Sequence, residues 1–419
     1  MNKKFDLKTL KGFRDFLPQQ ANVRKKVKEL LVETFESFGY ELLETPTLEL
    51  QSVLLGKYGD EADKLVYKFD DLGKRKVALR YDLTVPLARV VSQYKYQLPL
   101  PFKRYQIQNV FRADKPQKGR YREITQCDID IVGSSSPLAD AEIVALIEKC
   151  LIRLGFTEFT IRINSRQVLF AVMEQAGVPK DKVLSVIQSI DKLDKKTREE
   201  VEAELTTKGV TSKIIKQVFS SLEKARPDKY LQEVINSLSE LNVRKSSWKF
   251  DPTLARGLDY YTGPIFETVV TKPKIGSITG GGRYDQLLNL LGGTDLPAVG
   301  TTIGLDRVVD VILDQNLWAD SILTPTQILV SVFDASLKKY SLKIVNELRD
   351  QGLKTEIYLN YQDKLSDQLK YADKKGIQYA IIAGPDEYKN KKVTVKNLKT
   401  GEQQISTINE LVEILKENI

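Results

Sequence analysis

Two strand-like runs, FKRYQIQNVFR (102–112) and ITQCDIDIVG (124–133), flank a basic, turn-rich loop, KPQKGRYR (115–122). Side chains on a strand alternate between faces, so runs with this period and spacing predict an antiparallel hairpin. On that hairpin Gln126, Asp128 and Asp130 share one face, and Arg112 and Asp114 end the first strand. An arginine, acids and an amide then lie over one patch of sheet. An ordinary solvated strand face explains the alternation, but not a basic loop joined to acids set among apolar neighbours.

The surrounding pattern extends this sheet. LVYKF and KVALR precede the hairpin, and FTIRIN, SWKFDP and GSITGGGRYD follow it. Residues 20–38 carry Val23, Val27, Leu30, Leu31, Phe35 and Phe38 at helical spacing before Gly39, a natural helix stop. YELLETPTLEL is interrupted by Pro46, which predicts an edge or a boundary there. Helices are predicted over 138–154 and 303–313. Residues 166–242 are helical, charged and poor in aromatics, and are expected as an insertion. SILTPTQ (321–327) is a linker. Beyond it ILVSVF, a helix over 336–351, KTEIYL, a helix over 363–375, YAIIAG, a hairpin and a helix over 407–417 predict a small, largely parallel α/β domain.

Composition narrows the chemistry. None of the 419 residues is histidine. That excludes a Ser-His-Asp triad, a Cys-His pair and imidazole metal ligation. The two cysteines, Cys127 and Cys150, make no disulfide framework, so a cytoplasmic location and no zinc are expected. No apolar run has membrane-spanning length, and no membrane partner is expected. The net charge of +8 is spread along the chain and is weak evidence for a nucleic-acid partner.

Further motifs carry polar groups. ARGLDYYTGPIFE (255–267) sets Arg256 beside Tyr260 and Tyr261, which would face opposite sides of a strand. ALRYDLTVPLARV places Arg80, Asp82 and Thr84 in alternation, although a strand-to-helix junction with Pro86 in the first turn explains them as well. AVGTTIGLDRVV and GGGRYD hold glycines that close packing or a tight turn would account for, and no GK[ST] follows to make a phosphate loop. Arg112, Arg256 and Arg307 fall at the ends of strand patterns in three separate motifs. Several arginines on one site suit phosphoryl chemistry, where positioning and charge stabilisation do most of the work.

RYDLTVPLAR, VFRADKPQKGRYREITQCDIDIVG, ARGLDYYTGPIFE, GGGRYD and GTTIGLDR, in this order, resemble the histidyl-tRNA synthetase family over essentially the whole chain. ETPTLE resembles the first class II synthetase motif, the stretch from Val110 the second, and 300–309 the third. RYDLTVP and QCDIDI are similar to the eukaryotic and archaeal branch. The resemblance implies an α+β catalytic domain over 1–322, built on the class II antiparallel sheet with flanking helices and interrupted by the helical insertion 166–242. It also implies an α/β anticodon-binding domain over 325–419. The activity implied is that of a histidine–tRNA ligase acting through histidyl-adenylate, with ATP and Mg²⁺, histidine and tRNA(His) as partners. A homodimer through the Pro46 region is implied too.

The same resemblance assigns roles. Arg256 and Arg112 would be catalytic. Asp82, Thr84, Arg112, Gln126, Asp130, Arg256, Tyr260 and Tyr261 would bind histidine, with Tyr261 and Asp130 on the two imidazole nitrogens and Asp82, Thr84 and Gln126 on the ammonium group. Arg112, Asp114, Arg120, Tyr121 and Arg307 would bind ATP. Lys115, Gln117, Lys118 and Arg120 would meet the tRNA acceptor end. The chain departs from the family pattern at Gln106, where relatives often carry His, and at Asp114, where Glu is usual. A catalytically inactive, histidine-sensing regulatory relative and an RNA-binding paralogue are the rival readings. The first would lack the C-terminal domain and much of ARGLDYYTG, and the second need not keep all three arginines.

Overall fold

The computed structural model of the chain describes residues 7–55, 66–116, 121–256, 261–286, 288–289, 295–318 and 324–418. The chain divides into two compact units, Met1–Asp15 with Lys26–Trp318 and Phe16–Lys25 with Ala319–Ile419.

In chain order the strands of the larger unit are β1 (Glu41–Leu42), β2 (Leu48–Leu50), β3 (Lys68–Asp70), β4 (Lys76–Leu79), β5 (Phe102–Phe111), β6 (Glu123–Val132), β7 (Phe159–Ser165), β8 (Trp248–Phe250), β9 (Pro264–Val270), β10 (Thr279–Arg283) and β11 (Ala298–Gly304). Eight of them form one sheet in the order β1-β5-β6-β11-β10-β9-β7-β8. The hairpin read from the sequence supplies its second and third strands. β5 and β6 pair antiparallel along their full length, from Phe102↔Val132 to Phe111↔Glu123. All inner pairings are antiparallel, and only the edge strands β1 and β8 join parallel to their neighbours. β2, β4 and β3 make a separate three-stranded sheet. Pro46 falls between β1 and β2, each of them an edge strand, as a residue without a backbone N–H requires.

A helix over Pro137–Arg153 packs on β6, β10 and β11. Ser136 caps it by accepting from the Leu138 amide, Pro137 suits its first position, and Ile143, Val144, Ile147 and Leu151 are fully buried on the sheet side. Five helices fill the chain between β7 and β8: Arg166–Gln175, Val183–Ile190, Arg198–Thr207, Ser212–Lys224 and Lys229–Glu240. Thr197 and Glu200 make a capping box, and Thr211 and Asp228 cap the next two helices. This helical stretch is not free-standing. Its last helix packs along Pro137–Arg153, and the Tyr230 hydroxyl donates to Asp140 Oδ2 at 2.8 Å.

Three expectations change. ARGLDYYTGPIFE is not one strand, because β9 starts only at Pro264. Arg256 therefore lies in the segment leading to the strand, and Arg307 lies in the first turn of the helix Leu305–Asp314. In the smaller unit β12 (Ile328–Val330), β13 (Thr355–Ile357), β14 (Tyr379–Ile382), β15 (Val393–Asn397) and β16 (Gln403–Ser406) order as β13-β12-β14-β15-β16. The first three are parallel and the β15–β16 hairpin adds two antiparallel pairings, so the sheet is mixed and not largely parallel. Its core is Ile328, Val330, Ile344, Val345, Leu348, Ile381, Val393, Leu411 and Leu415.

Candidate functional site

Period-two alternation on β6 points Gln126, Asp128 and Asp130 into one cavity of about 310 Å³. Tyr81, Asp82, Thr84, Arg112, Arg256, Tyr261, Gly280, Tyr284, Gly300, Thr301 and Thr302 complete its wall. Asp82 and Thr84 arrive from the turn between β4 and the helix Thr84–Tyr94, where Asp82 Oδ1 accepts from the Val85 amide at 3.1 Å. Arg80, two residues earlier, turns away and is consumed by Thr45, Gln108 and Asn109. The junction thus ties Arg80 into the frame and brings Asp82 and Thr84 to the cavity wall.

Two glycines make room for the charged groups. A Cβ at Gly280 would stand 2.6 Å from the Arg256 guanidinium, and one at Gly300 would collide with the Asp130 carboxylate. Small residues on β10 and β11 let these side chains lie flat against the sheet. The close-packing explanation therefore holds for Gly300, whereas GGGRYD, expected as a tight turn, has its glycines in strand β10.

Asp130 is braced from both sides. Arg104, fully buried on β5 directly across from it, stands 2.7 Å from Asp130 Oδ2, and the Tyr284 hydroxyl donates to Oδ1. Burial raises the Asp130 pKa, opposed by Arg104 and then by the Tyr284 hydrogen bond. Asp128 is pushed up to about 7, chiefly by burial, with Arg104 pulling the other way. Asp82 is also raised by burial, while the Val85 amide and Arg112 oppose. Tyr261 is pushed up to about 12 by burial and stays a neutral phenol.

The cations are placed by polar neighbours. Arg112 Nε donates to the Tyr81 carbonyl at 3.0 Å and Nη2 to Gln126 Oε1 at 3.3 Å. Arg256 Nη1 donates to Glu267 Oε1 and to Ser277 Oγ, both at 2.7 Å, and Arg307 Nη1 donates to the Ser277 carbonyl at 2.5 Å. Ser277 thus joins Arg256 and Arg307. The Arg14 guanidinium lies 3.2 Å over the Tyr121 ring and donates to Asp306 Oδ1 at 2.6 Å. Asp306 Oδ2 accepts from the Thr125 amide.

Of the residues picked from the sequence, Asp82, Thr84, Arg112, Gln126, Asp130, Arg256 and Tyr261 share the cavity. Asp114, Lys115, Tyr121 and Arg307 are not on its wall, and Tyr260, Gln117, Lys118 and Arg120 lie outside the described residues. Sequence reading missed Arg104, Tyr284 and Thr302, and named Asp128 only as a member of the face. The signal for Arg104 was its parity on β5, and Tyr284 stood in GGGRYD, which was read only as a turn.

The sequence profile of the histidyl-tRNA synthetase family matches residues 12–308, and an anticodon binding domain profile matches 327–418. A histidine–tRNA ligase of Gloeobacter violaceus is 41% identical, covering 95% of this chain and 96% of its own. The crystal structure of histidyl-tRNA synthetase from a Nostoc species superposes with a TM-score of 0.88 at 29% identity, covering 99% of this chain and all of that one. An ATP phosphoribosyltransferase regulatory subunit/histidyl-tRNA synthetase from Bacillus halodurans superposes at 0.74 with 20% identity, covering 89% and 97%, which is a likeness of fold alone. These relatives are bacterial, so the eukaryotic and archaeal likeness drawn from RYDLTVP and QCDIDI finds no support.

Proposed function

The chain belongs to the histidyl-tRNA synthetase family and is a histidine–tRNA ligase, and we propose that the cavity on β6 is where it activates histidine. The observation that carries this reading is the convergence of seven residues, from three separate sequence motifs, on one small pocket. At about 310 Å³ the pocket is at the lower end of ligand sites (roughly 300–1,000 Å³), a size suited to an amino acid.

Tyr261 and Asp130 flank the imidazole. A neutral imidazole has one donor and one acceptor nitrogen, and a phenol and a carboxylate satisfy both. Arg104 and Tyr284 hold Asp130 in orientation, and its oxygens keep further lone pairs for the substrate. Side chains that cannot satisfy both groups leave buried polar atoms unpaired and are rejected. Asp82, Thr84 and Gln126 receive the ammonium group. The substrate carboxylate attacks the α-phosphate of ATP, which arrives with Mg²⁺ as a substrate complex, and pyrophosphate leaves. No protein base is needed, because the nucleophile is already ionised. Arg112 and Arg256 stabilise the added negative charge of the transition state. Arg307, tied to Arg256 through Ser277, and Asp114, Arg120 and Tyr121 serve ATP.

Histidine then passes to the terminal adenosine of tRNA(His), met by Lys115, Gln117, Lys118 and Arg120. The catalytic domain extends over 1–322 with 166–242 inserted, and 325–419 reads the anticodon. Unpaired bases suit a small α/β surface. A second copy docks by the Pro46 region: Leu42, Leu48 and Leu50 are exposed there while Glu49 turns inward to Arg89, the reverse of a strand that faces solvent.

ATP–pyrophosphate exchange with each amino acid in turn tests the reading. Exchange should depend on histidine alone. Exchange with another amino acid, or none with any, would refute it.

A further inference from the structure

We propose that Asp128 is a further substrate-binding residue, protonated while the site is empty and ionised when it receives the histidine ammonium group. This rests on the reading of the cavity as the histidine site.

The argument starts from the register. On β6 the acids Asp128 and Asp130 face the same way, and β5 sets Gln106 opposite the first and Arg104 opposite the second. On the other side β11 sets Thr302 opposite Asp128 and Gly300 opposite Asp130. One fully buried guanidinium therefore serves two carboxyl groups, and its 2.7 Å contact is with Asp130. Asp128 has only neutral partners among the described residues: Gln126 Nε2 donates to its Oδ1 at 3.3 Å, and the Thr302 hydroxyl bonds to it. Arg112 is engaged by Tyr81 and Gln126, and Arg256 by Glu267 and Ser277. The charged and titratable groups facing Asp128 are then Arg104 from β5, Asp130 from β6, Asp82 from the turn before Thr84–Tyr94, and Arg112, Arg256, Tyr261 and Tyr284 across the cavity. Burial with an acid on either side holds its proton, with a pKa of about 7.

Asp128 shares its nearest cation with Asp130, so this buried carboxyl is a place for a second one. Asp128 lies one period, about 7 Å, along β6 from Asp130 toward Gln126. That is the Gln126 end of the strand, away from Asp130. When the ammonium arrives, the Asp128 carboxyl gives its proton to solvent and the new pair is neutral. Substrate binding should then release a proton that the substrate's own groups do not account for.

Calorimetric titration of histidine into the full-length protein at pH 7.0, in two buffers of different ionisation enthalpy, counts that proton. The count is taken for the wild type and for Asp128→Asn. The imidazole contributes equally to both, so the difference belongs to Asp128. We expect a measurable fraction of a proton more from the wild type and about tenfold weaker binding by the variant. Imidazolepropionate, which lacks the ammonium, should bind the two alike. Equal proton release from both proteins, or equal weakening of imidazolepropionate, overturns the proposal. Should Asp128→Asn not fold by circular dichroism, Asp128→Ser replaces it with the same readouts. Failure of the wild type to bind histidine at all refutes the histidine reading instead, and is distinguishable from either result.

Discussion

Replacing Arg104 with Met should destabilise the larger unit in a pH-dependent way. The side chain is fully buried and 2.7 Å from Asp130, and methionine keeps most of its length while deleting the charge. Asp130 then loses its paired cation, and Asp128 the cation that most opposes its proton. Deleting one partner of a buried ion pair costs about 3–5 kcal/mol. That cost is electrostatic only while the carboxyls are ionised. The folded pKa values of Asp128 and Asp130 already stand above the unfolded value of about 3.9. The folded state therefore holds protons that the unfolded chain has lost, and stability falls as pH rises through that window. Without Arg104 the folded values move higher still and the fall extends further. The difference from wild type should be about 3–5 kcal/mol at pH 8 and shrink to about 1 kcal/mol at pH 5, where the loss is that of neutral hydrogen bonds. Urea unfolding followed by tryptophan fluorescence measures it cleanly, because Trp248 and Trp318 are the chain's two tryptophans and both belong to the larger unit. Equal destabilisation at the two pH values would show that Arg104 acts by packing and that the charge argument is wrong.

Arg256→Ala should lower kcat for histidine-dependent pyrophosphate exchange by about 10²-fold or more with a smaller effect on KM, as expected for a group that acts on the transition state. A raised KM with unchanged kcat would mean that Arg256 only binds. Gly280→Ala should mimic it at a distance: the new methyl displaces a guanidinium that is 38% exposed and can move, so exchange should fall at least tenfold while Tm changes by less than about 2 °C. Full activity would separate Gly280 from the site. Removing residues 323–419 should leave adenylate formation intact and abolish most tRNA charging, measured side by side; full charging would rule out the anticodon role of the smaller unit. The pH profile of kcat/KM for histidine should show an acidic limb near the imidazole pKa of about 6.5 that is weaker in kcat, because only the neutral ring accepts from the Tyr261 phenol. A flat profile from pH 5.5 to 8 would remove Tyr261 and Asp130 as the imidazole partners.

How legible the site was depended on how local its signals are. Gln126, Asp128 and Asp130 could be put on one face because a ten-residue strand with unbroken alternation leaves no other register. Their company could not be read the same way. Arg104 faces Asp130 across the β5–β6 hairpin, but Tyr284 follows β10 and reaches Asp130 only across β11, which lies between β6 and β10 in the sheet. Nothing in a single strand's pattern encodes that order. ARGLDYYTGPIFE misled for a related reason: two adjacent tyrosines suit a strand, but Gly263 and Pro264 delay pairing, and Arg256 reaches the cavity over Gly280 from outside the ladder. An antiparallel sheet with covering helices followed from element pattern alone, whereas the short helix Pro385–Asn390 and the mixed smaller sheet did not, because six residues and a terminal hairpin leave little periodicity to count.

The missing histidines tie the chemistry of this site to its substrate. Between pH 5 and 8 the protein has no side chain with an ordinary pKa to titrate. On the proposed reading the imidazole that arrives in the pocket is then the only one there, and fixed partners would read its protonation: a phenol held neutral by burial and a carboxylate held by Arg104. A protein imidazole in the same wall would compete for those partners and titrate in the same range, blurring the distinction on which selection depends. Asp128 is the exception that the structure creates, a carboxyl moved by burial into the range that histidine would have occupied. The same composition has a second consequence. Translation of these 419 residues consumes no histidyl-tRNA, so its rate is uncoupled from the product of the reaction that the protein catalyses. Histidine shortage would slow synthesis of chains that contain the residue while sparing the one that charges it.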